Sequence, residues 1–276
     1  MNVFAPDILR GKTALVAGGT SGINLEIAHI LAEYGARVAV LSRSPDRVTA
    51  AIEQLQTHGN PVLGSSADVR SFEAVERVVG EVAAAWGALD IVVSGAAGNF
   101  LCAAADLSPN GFKTVVDIDL LGTFNVMRAC YSRLRKPGAS VINISAPQAT
   151  QAYWGQIHVA AAKAGVDMLT RTLAVEWGRE GVRVNAIVPG PIGDTEGMRR
   201  LAPTSGEQAD RASEVPIGRY GTKREVANMA LFLVSDAASY VHGAILHCDG
   251  GMVLAGGGGW EDRTRAATAA ARRPAT

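Results

Sequence analysis

Short apolar runs alternate with segments of helical spacing along almost the whole chain, and this alternation restricts the possible fold more than any other feature. "TALVAG" ends in a glycine turn, after which Ile23, Ile27, Ile30 and Leu31 follow at helical spacing. Strands that alternate with helices in this way form a parallel sheet covered by helices on both faces. The pattern predicts seven strands, at residues 13–18, 36–42, 61–67, 89–95, 139–145, 182–188 and 243–249.

The domain organisation follows from the same pattern. No linker interrupts the alternation, so we expect one doubly wound α/β domain over residues 1–255. Residues 191–220 are polar and rich in glycine and proline, which predicts a lid. Residues 256–276, with four successive glycines at their start, predict a flexible tail.

Helix starts are marked by hydroxyl side chains. Ser44 precedes Pro45, and this pair is typical of a cap followed by a first-turn proline. Ser71 has the same position before an apolar periodic segment. Beyond residue 100, the apolar spacing predicts helices at about 108–135, 151–177 and 222–235.

Composition excludes several classes of partner. The 276 residues have 48% hydrophobic content, enough for a substantial core, and a formal net charge of zero without a long basic run. We therefore expect a small-molecule partner, and neither nucleic acid nor a membrane. Three cysteines without a CxxC pair argue against a disulfide framework and a zinc site, so no bound metal is expected. The N-terminal residues lack the apolar run of a signal peptide, and the final "RRPAT" differs from the serine-lysine-leucine peroxisomal signal, which favours the cytoplasm.

The first turn has the composition of a phosphate site. "AGGTSGIN" lies between the first strand and the first helix, where backbone N–H groups and the helix dipole face an anion. Gly18, Gly19 and Gly22 permit close approach of a pyrophosphate to the backbone. Asn24 occupies the place where a third glycine usually allows tight helix packing, and its consequence is left open.

The end of the second strand predicts which dinucleotide binds. An enzyme that uses NAD would place Asp or Glu here to hold the ribose hydroxyls, whereas this strand ends "LSRSPDR". Arg43, Ser44 and Arg47 offer donors to a 2′-phosphate, and charge-assisted bonds of roughly 1.5–3 kcal/mol each would favour NADP(H). The alternative is that these arginines are only solvated surface charge.

Over residues 8–254 the chain resembles the short-chain dehydrogenases/reductases. The matching motifs are "GGTSGI", "ADV" with Asp68 at the adenine, "SGAAG", Lys163, "PGPIGDT" and the final "DGG". The resemblance implies a Rossmann fold with a seven-stranded parallel sheet. It assigns the cofactor to Gly18, Gly19, Thr20, Ser21, Gly22, Ile23, Arg43, Ser44, Arg47, Asp68, Val69, Ala96, Lys163, Pro189, Gly190, Ile192 and Thr195.

The chain departs from that family at two catalytic places. A serine after the fifth strand and a tyrosine four residues before the lysine normally run the reaction, but Ala146 and Val159 stand here. The segments "AAGNF", "FKTVVDIDLLGTFNV", "LAVEWG" and "PGPIGDTEGMRRL" are similar to the peroxisomal type of 2,4-dienoyl-CoA reductase. That subgroup reduces a conjugated dienoyl thioester to an enoyl thioester with NADPH.

Such a reaction removes the need for the tyrosine. Hydride enters at the far end of the conjugated system, the charge spreads as an enolate, and the proton goes to carbon rather than to oxygen. The resemblance implies that Asp119 acts with Lys163, and that Asn99 donates to the thioester oxygen. As an acid near neutral pH, Asp119 would need a raised pKa. Its alternative is a scaffold role, as a carboxylate that accepts backbone bonds or pairs with Lys163.

The same resemblance suggests the substrate contacts and the assembly. Phe100 and Ser108 match positions that touch the acyl thioester, Arg70 and Arg200 match positions near coenzyme A phosphates, and Gln148 replaces a tyrosine of the mitochondrial branch. Without the resemblance, an isolated arginine is more often ordinary surface charge. An acyl-CoA thioester and three further copies of the chain, in a homotetramer, are the expected partners.

Two other functions remain open. One is an NADPH-dependent reductase of another activated C=C, C=O or C=N substrate, which would not require Arg70 and Arg200. The other is a dinucleotide-binding sensor without turnover, which the loss of the serine and tyrosine favours and the retention of Lys163 opposes. His158 lies about 140° around a helix from Lys163, so we expect a structural role for it.

Overall fold

Seven strands form one parallel sheet in the computed structural model, which describes residues 4–195 and 212–255. The strand order is β3-β2-β1-β4-β5-β6-β7, so all seven predicted strands are confirmed within one or two residues at each end. Their bounds are β1 Thr13–Ala17, β2 Arg37–Ser42, β3 Val62–Ser66, β4 Ile91–Ser94, β5 Ser140–Ile144, β6 Arg183–Pro189 and β7 Ile245–Cys248.

Helices cover both faces of this sheet. Their bounds are α1 Gly22–Glu33, α2 Pro45–Gln56, α3 Phe72–Trp86, α4 Pro109–Val116, α5 Gly122–Cys130, α6 Ile157–Trp177 and α7 Lys223–Val234. Successive residues of a strand point to opposite faces, so each central strand contributes to two cores. In β1, Val16 packs with α1, α2 and α7, whereas Leu15 packs with α3, α5 and α6. This arrangement confirms the predicted doubly wound α/β domain.

The predicted caps of α2 and α3 are confirmed. Ser44 Oγ accepts a hydrogen bond from the N–H of Arg47, and Ser71 Oγ accepts one from the N–H of Ala74. Each hydroxyl satisfies a backbone donor that has no partner within the first turn of a helix. Arg43 alone therefore separates the end of β2 at Ser42 from the cap of α2 at Ser44.

Two helices differ from their predicted bounds. The segment predicted at about 108–135 is divided, because a π-helical turn at Asp117–Leu121 separates α4 from α5. The helix predicted from about residue 151 begins only at Ile157, since Gly155 has a φ of 75° and Gln156 a φ of −132°. Neither value continues an α-helix. Both departures lie beside the crevice described next.

The strand order reverses at β1, which pairs with β2 on one side and with β4 on the other. Connections that diverge from such a point leave a crevice at the carboxyl ends of the strands. Ile192 forms an isolated bridge with Gly221, so the two ends of the segment predicted to be a lid lie side by side. Residues 196–211 and the tail 256–276 lie outside the described residues. Among those described, no helix has the length and apolar character needed to cross a bilayer.

Candidate active site

A cavity of about 960 Å³ fills the crevice between the loops that follow β1, β2, β3 and β4. Most of the residues predicted to hold the cofactor line it, and so do Asn24, Leu41 and the loop from Gly95 to Asn99. The predicted residues at its wall are Gly18, Thr20, Ser21, Gly22, Ile23, Arg43, Ser44, Arg47, Asp68, Val69, Ala96 and Thr195.

The glycine turn fits a dinucleotide pyrophosphate. Gly18 has a φ of 78°, and a Cβ there would lie 2.8 Å from the backbone nitrogen of Ala96. Ser21 precedes α1 without making a side-chain cap, so the first N–H groups of this helix remain available to an anion. Gly19 lies behind the wall, where a Cβ would come within 2.8 Å of the Val16 carbonyl oxygen.

Positive charge surrounds the end of the cavity beside β2 and β3. Arg43 and Arg47 line this end together with Asp68. The guanidinium of Arg70 binds both oxygens of Asp68, with contacts of 2.6 and 3.0 Å. These hydrogen bonds, which outweigh the opposing effect of burial, hold the pKa of Asp68 below its usual range. Asp68 is thus a neutralised carboxylate, and Arg43 and Arg47 remain to attract an anion.

The aspartate and the lysine predicted to act together lie side by side. Lys163 Nζ is 3.3 Å from Asp119 Oδ2 and donates to the carbonyl oxygen of Ile144, which lies at the cavity wall. Asp119 Oδ1 accepts from the N–H of Gly98 at 2.7 Å, and the side chain is 1% exposed. The π-helical turn presents Asp119 in this position. These are the contacts expected of a carboxylate that is both paired and held by the backbone.

No hydroxyl occupies either place that the usual family mechanism requires. Ala146 ends the loop after β5, and Val159 is buried on the first turn of α6. Neighbouring His158 is fully buried, and its ring packs on Phe100 with 4.4 Å between ring centroids. Burial lowers the pKa of His158, while the Phe100 backbone and the Asp119 carboxylate act in the opposite direction. The predicted structural role of His158 therefore includes support of Phe100.

A chain of three amides orients Asn99. Gln148 Nε2 donates to Gln156 Oε1 at 2.9 Å, and Gln156 Nε2 donates to Asn99 Oδ1 at 3.2 Å. Because the oxygen of Asn99 is occupied, its Nδ2 is the group left to donate to a substrate oxygen. The sequence does not predict this role for Gln156, since glutamine there belongs to no motif. Gln148 acts through Gln156 in this arrangement.

Phe100 and Ser108 lie near one another, and both are exposed. A Cβ on Gly111 would be 3.3 Å from the Phe100 ring and 3.2 Å from Ser108 Oγ, which places both around that glycine. Ser108 Oγ caps α4 by accepting from the N–H of Gly111 at 3.0 Å. Arg70 lies instead with Asp68, and Arg200 is outside the described residues.

Of the described residues in the loop after β6, Thr195 alone lines the cavity, and its hydroxyl donates to the Ile192 carbonyl oxygen at 2.9 Å. Ile192 lines a separate recess of about 120 Å³. A Cβ on Gly190 would lie 2.6 Å from Asp249, so this glycine serves packing against the residue after β7. Pro189 ends β6 and does not line the cavity.

In the part of the chain that the structure describes, side chains that could bind a metal ion do not cluster and the three cysteines form no disulfide. No group of three or more His, Cys, Asp or Glu side chains there could hold a metal ion. Cys102, Cys130 and Cys248 are free thiols. The site consists of a crevice of about 960 Å³, a buried carboxylate–ammonium pair and an oriented amide.

A doubly wound sheet with a glycine turn, a crevice and a lysine on α6 defines a nicotinamide-dinucleotide-dependent oxidoreductase fold. Residues 17–253 match the family model described as Enoyl-(Acyl carrier protein) reductase. The chain belongs to the short-chain dehydrogenase/reductase family.

Several relatives align with most of this chain. A peroxisomal 2,4-dienoyl-CoA reductase, named as (3E)-enoyl-CoA-producing, from Arabidopsis thaliana is 45% identical over 91% of this chain and 87% of its own length. A probable 2,4-dienoyl-CoA reductase, named as (2E)-enoyl-CoA-producing, from Bacillus subtilis is 42% identical over 88% of this chain and 97% of its own. Among solved structures, a citronellol catabolism dehydrogenase from Pseudomonas aeruginosa PAO1 is 34% identical, with a TM-score of 0.81 over 91% of this chain and 99% of its own.

Proposed function

We propose that the chain reduces a conjugated 2,4-dienoyl-CoA thioester to an enoyl-CoA with NADPH. The observation that supports this most is the buried pair of Asp119 and Lys163, with Nζ and Oδ2 3.3 Å apart, in a site where Val159 replaces the tyrosine. A carbonyl reductase needs an acid beside its substrate oxygen, and that acid is missing here. Reduction of a conjugated thioester delivers its proton to carbon instead.

Asn99 would stabilise the charge that develops during the reaction. When bound, the cofactor supplies a hydride to the far end of the conjugated system. The Nδ2 group of Asn99, with its oxygen held by Gln156, donates to the thioester oxygen as the extended enolate forms. The ring of Phe100, fixed against His158, provides an apolar wall for the acyl group.

The proton for carbon comes, in this proposal, through the Asp119 and Lys163 pair. Lys163 is the cation, and its contact with Ile144 keeps the ammonium at the cavity wall, where it also holds the ribose hydroxyls of the cofactor. Asp119 passes the proton from Lys163 to the substrate, directly or through water, and solvent then returns a proton to Lys163. The fixed position of Asp119 between Gly98 and Lys163 shortens the search for a productive geometry.

The test combines purified protein, NADPH and a medium-chain 2,4-dienoyl-CoA, with loss of both the NADPH and dienoyl absorbances as the readout. We expect NADPH-dependent turnover that falls about a hundredfold or more in Asp119→Asn, because the carboxylate can no longer accept and pass a proton. Asp117→Asn is the matched control, since that carboxylate pairs with Lys113 at the surface. Binding of NADPH without turnover of any dienoyl-CoA would reject the proposal.

The product of the same assay fixes where the proton goes. Protonation at the carbon next to the thioester gives a 3-enoyl product, and protonation two carbons further out gives a 2-enoyl product. The Arabidopsis relative is named for the first and the Bacillus relative for the second. Analysis of the product by NMR distinguishes them.

The preference for NADPH is a second part of the proposal. Arg43 and Arg47 line the cavity where the adenine ribose would lie, and Arg70 neutralises Asp68, the carboxylate that lines this cavity with them. Arg43→Asp should weaken NADPH binding by about tenfold or more and improve NADH binding, because the new carboxylate repels the 2′-phosphate and accepts from ribose hydroxyls. Fluorescence titration with both cofactors measures this. Arg133→Asp, far from the cavity, is the control, and an unchanged preference in Arg43→Asp would contradict the assignment.

Each of the two alternative functions predicts a different result in these assays. Turnover of other enones or imines without activity on dienoyl-CoA would favour a different reductase, and tight NADPH binding without any turnover would favour a sensor. Arg70, Ser108 and Arg200 as contacts of the coenzyme A substrate, and the homotetramer, stay part of the proposal. The cytoplasmic location also stays a prediction, since the named relatives are peroxisomal or bacterial.

A further inference from the structure

Asn24 takes the place of the third glycine of the turn and contacts the loop after β4. Its Nδ2 group donates to the carbonyl oxygen of Gly95 at 2.7 Å. Its Oδ1 is buried and has no hydrogen-bond partner among the described residues. The orientation of the amide is nevertheless fixed, because a flipped amide would set its oxygen against the Gly95 carbonyl oxygen.

Gly95 is required by this contact. A Cβ at residue 95 would lie 2.2 Å from Asn24 Oδ1 and 2.5 Å from both Cγ and Nδ2. Real Cβ atoms do not approach so closely, so the asparagine at 24 and the glycine at 95 depend on one another. The side chain of Asn24 occupies the space that any larger residue at 95 would need.

The segment Gly95–Asn99 is here called the β4 loop. The N–H of Gly95 donates to the carbonyl oxygen of Ala17 at 3.1 Å, and Gln156 donates to Asn99 Oδ1 at the other end of the loop. Ala96, Ala97 and Gly98 have no side chains that could form hydrogen bonds. At the start of the loop, Asn24 binds the carbonyl oxygen of Gly95; near its end, Asp119 binds the N–H of Gly98. Asn99, which follows at once, is the predicted donor to the thioester oxygen.

We infer that Asn24 is a positioning residue, which ties the β4 loop to the glycine turn and so holds Asn99 in register with the cofactor. The helix that receives the pyrophosphate and the loop that presents the substrate donor become one unit through this bond. A displacement of about 1 Å at a reacting group lowers rates by up to about a hundredfold. The inference rests on the proposed function only for its kinetic readout.

The experiment compares Asn24→Leu, which keeps the bulk but not the donor, with the wild type. We expect faster amide hydrogen exchange in a peptide covering the β4 loop, and a fall in kcat of about tenfold with dienoyl-CoA, while the Kd of NADPH stays within about threefold. Asn60→Leu is the matched control, since Asn60 Nδ2 makes a bond of the same 2.7 Å length to the Ala32 carbonyl oxygen, away from the site. Asn60→Leu should leave both the exchange of the loop and kcat unchanged.

A second pair of variants does not depend on activity. Gly95→Ala should lower Tm because its Cβ meets Asn24, whereas the double variant Asn24→Gly with Gly95→Ala should recover most of that loss. Unchanged loop exchange and kcat in Asn24→Leu would overturn the inference, and so would a Gly95→Ala penalty that persists in the double variant. If wild-type protein reduces no dienoyl-CoA, the proposed function fails while loop exchange and the Tm values still decide the role of Asn24.

Discussion

Asp167 lies one helical turn after Lys163 and is 3% exposed. Burial, the largest influence, raises the pKa of Asp167, and Ser145, Arg171 and Lys163 oppose it. In the unfolded chain an aspartate ionises near pH 3.9. The unfolded state therefore releases this proton at a lower pH than the folded state does. Asp167 therefore lowers the free energy of unfolding as pH rises through its folded pKa.

Asp167→Asn stays neutral and removes this dependence. We expect a higher Tm than the wild type at pH 8, with a difference that shrinks steadily as pH is lowered towards 4. Thermal unfolding across this range measures it. Asp106→Asn, at an exposed carboxylate, is the control and should show no such trend. A gain in Tm that is equal at every pH would contradict the explanation.

Individual site residues divide into those with a motif and those without. Asp119 and Lys163 lie in segments with family signatures, and the structure brings them within 3.3 Å. Gln156 and the Asn24–Gly95 contact could not be predicted, because each depends on which loops meet across the crevice. Such contacts are set by tertiary distances, which spacing along the chain does not contain.

At the scale of the element, α7 begins with a reciprocal cap. Thr222 Oγ1 accepts from the N–H of Glu225 at 3.2 Å, and Glu225 Oε2 accepts from the N–H of Thr222 at 2.7 Å. A hydrogen bond from Arg219, the largest influence, helps to lower the pKa of Glu225 to about 2. Thr222→Ala removes one half of this cap, so we expect a loss of about 1 kcal/mol and a fall in Tm of roughly 2–4 °C.

Thr57→Ala provides the comparison for this cap. Thr57 Oγ1 donates to the Gln54 carbonyl oxygen at the C-terminal end of α2, where it satisfies no helix N-terminus. Its replacement should change Tm by much less than that of Thr222. Differential scanning calorimetry of both variants measures the effect, and equal changes would show that the cap is not its cause.

The sequence predicts the strands better than it predicts the bounds of the helices. Strands buried on both faces are short apolar runs, which the sequence shows directly. The late start of α6 depends on the backbone angles of Gly155 and Gln156, and neither residue type by itself predicts its φ. The π-helical turn at Asp117–Leu121 has a wider turn than an α-helix, and the residues "DIDLL" do not distinguish the two. The sequence therefore predicts a helix there but not its type.

At the scale of the whole molecule, the alternation of elements fixes the parallel sheet, and the parallel sheet fixes where a ligand lies. Helices on both faces leave only the strand ends open, and the reversal at β1 opens the crevice there. Assembly is a different matter, because it depends on the outward faces of the helices. On α6, Met168 and Val175 are 59% and 83% exposed. Seven residues apart, they share one helix face.

In the predicted homotetramer, we expect another copy of the chain to cover the apolar face of α6. Leu121 and Phe124, on the neighbouring π turn and α5, are also exposed. Several apolar side chains are therefore exposed to solvent at one side of the sheet. We expect light scattering to give four times the chain mass of 28.7 kDa. Adding charge at Met168→Glu and Val175→Glu together should reduce that mass, because a buried unpaired carboxylate opposes association. Ile8→Glu, on another surface, should leave it unchanged. A wild type that is monomeric would contradict the homotetramer. A double variant that stays tetrameric would show that the interface lies on another surface.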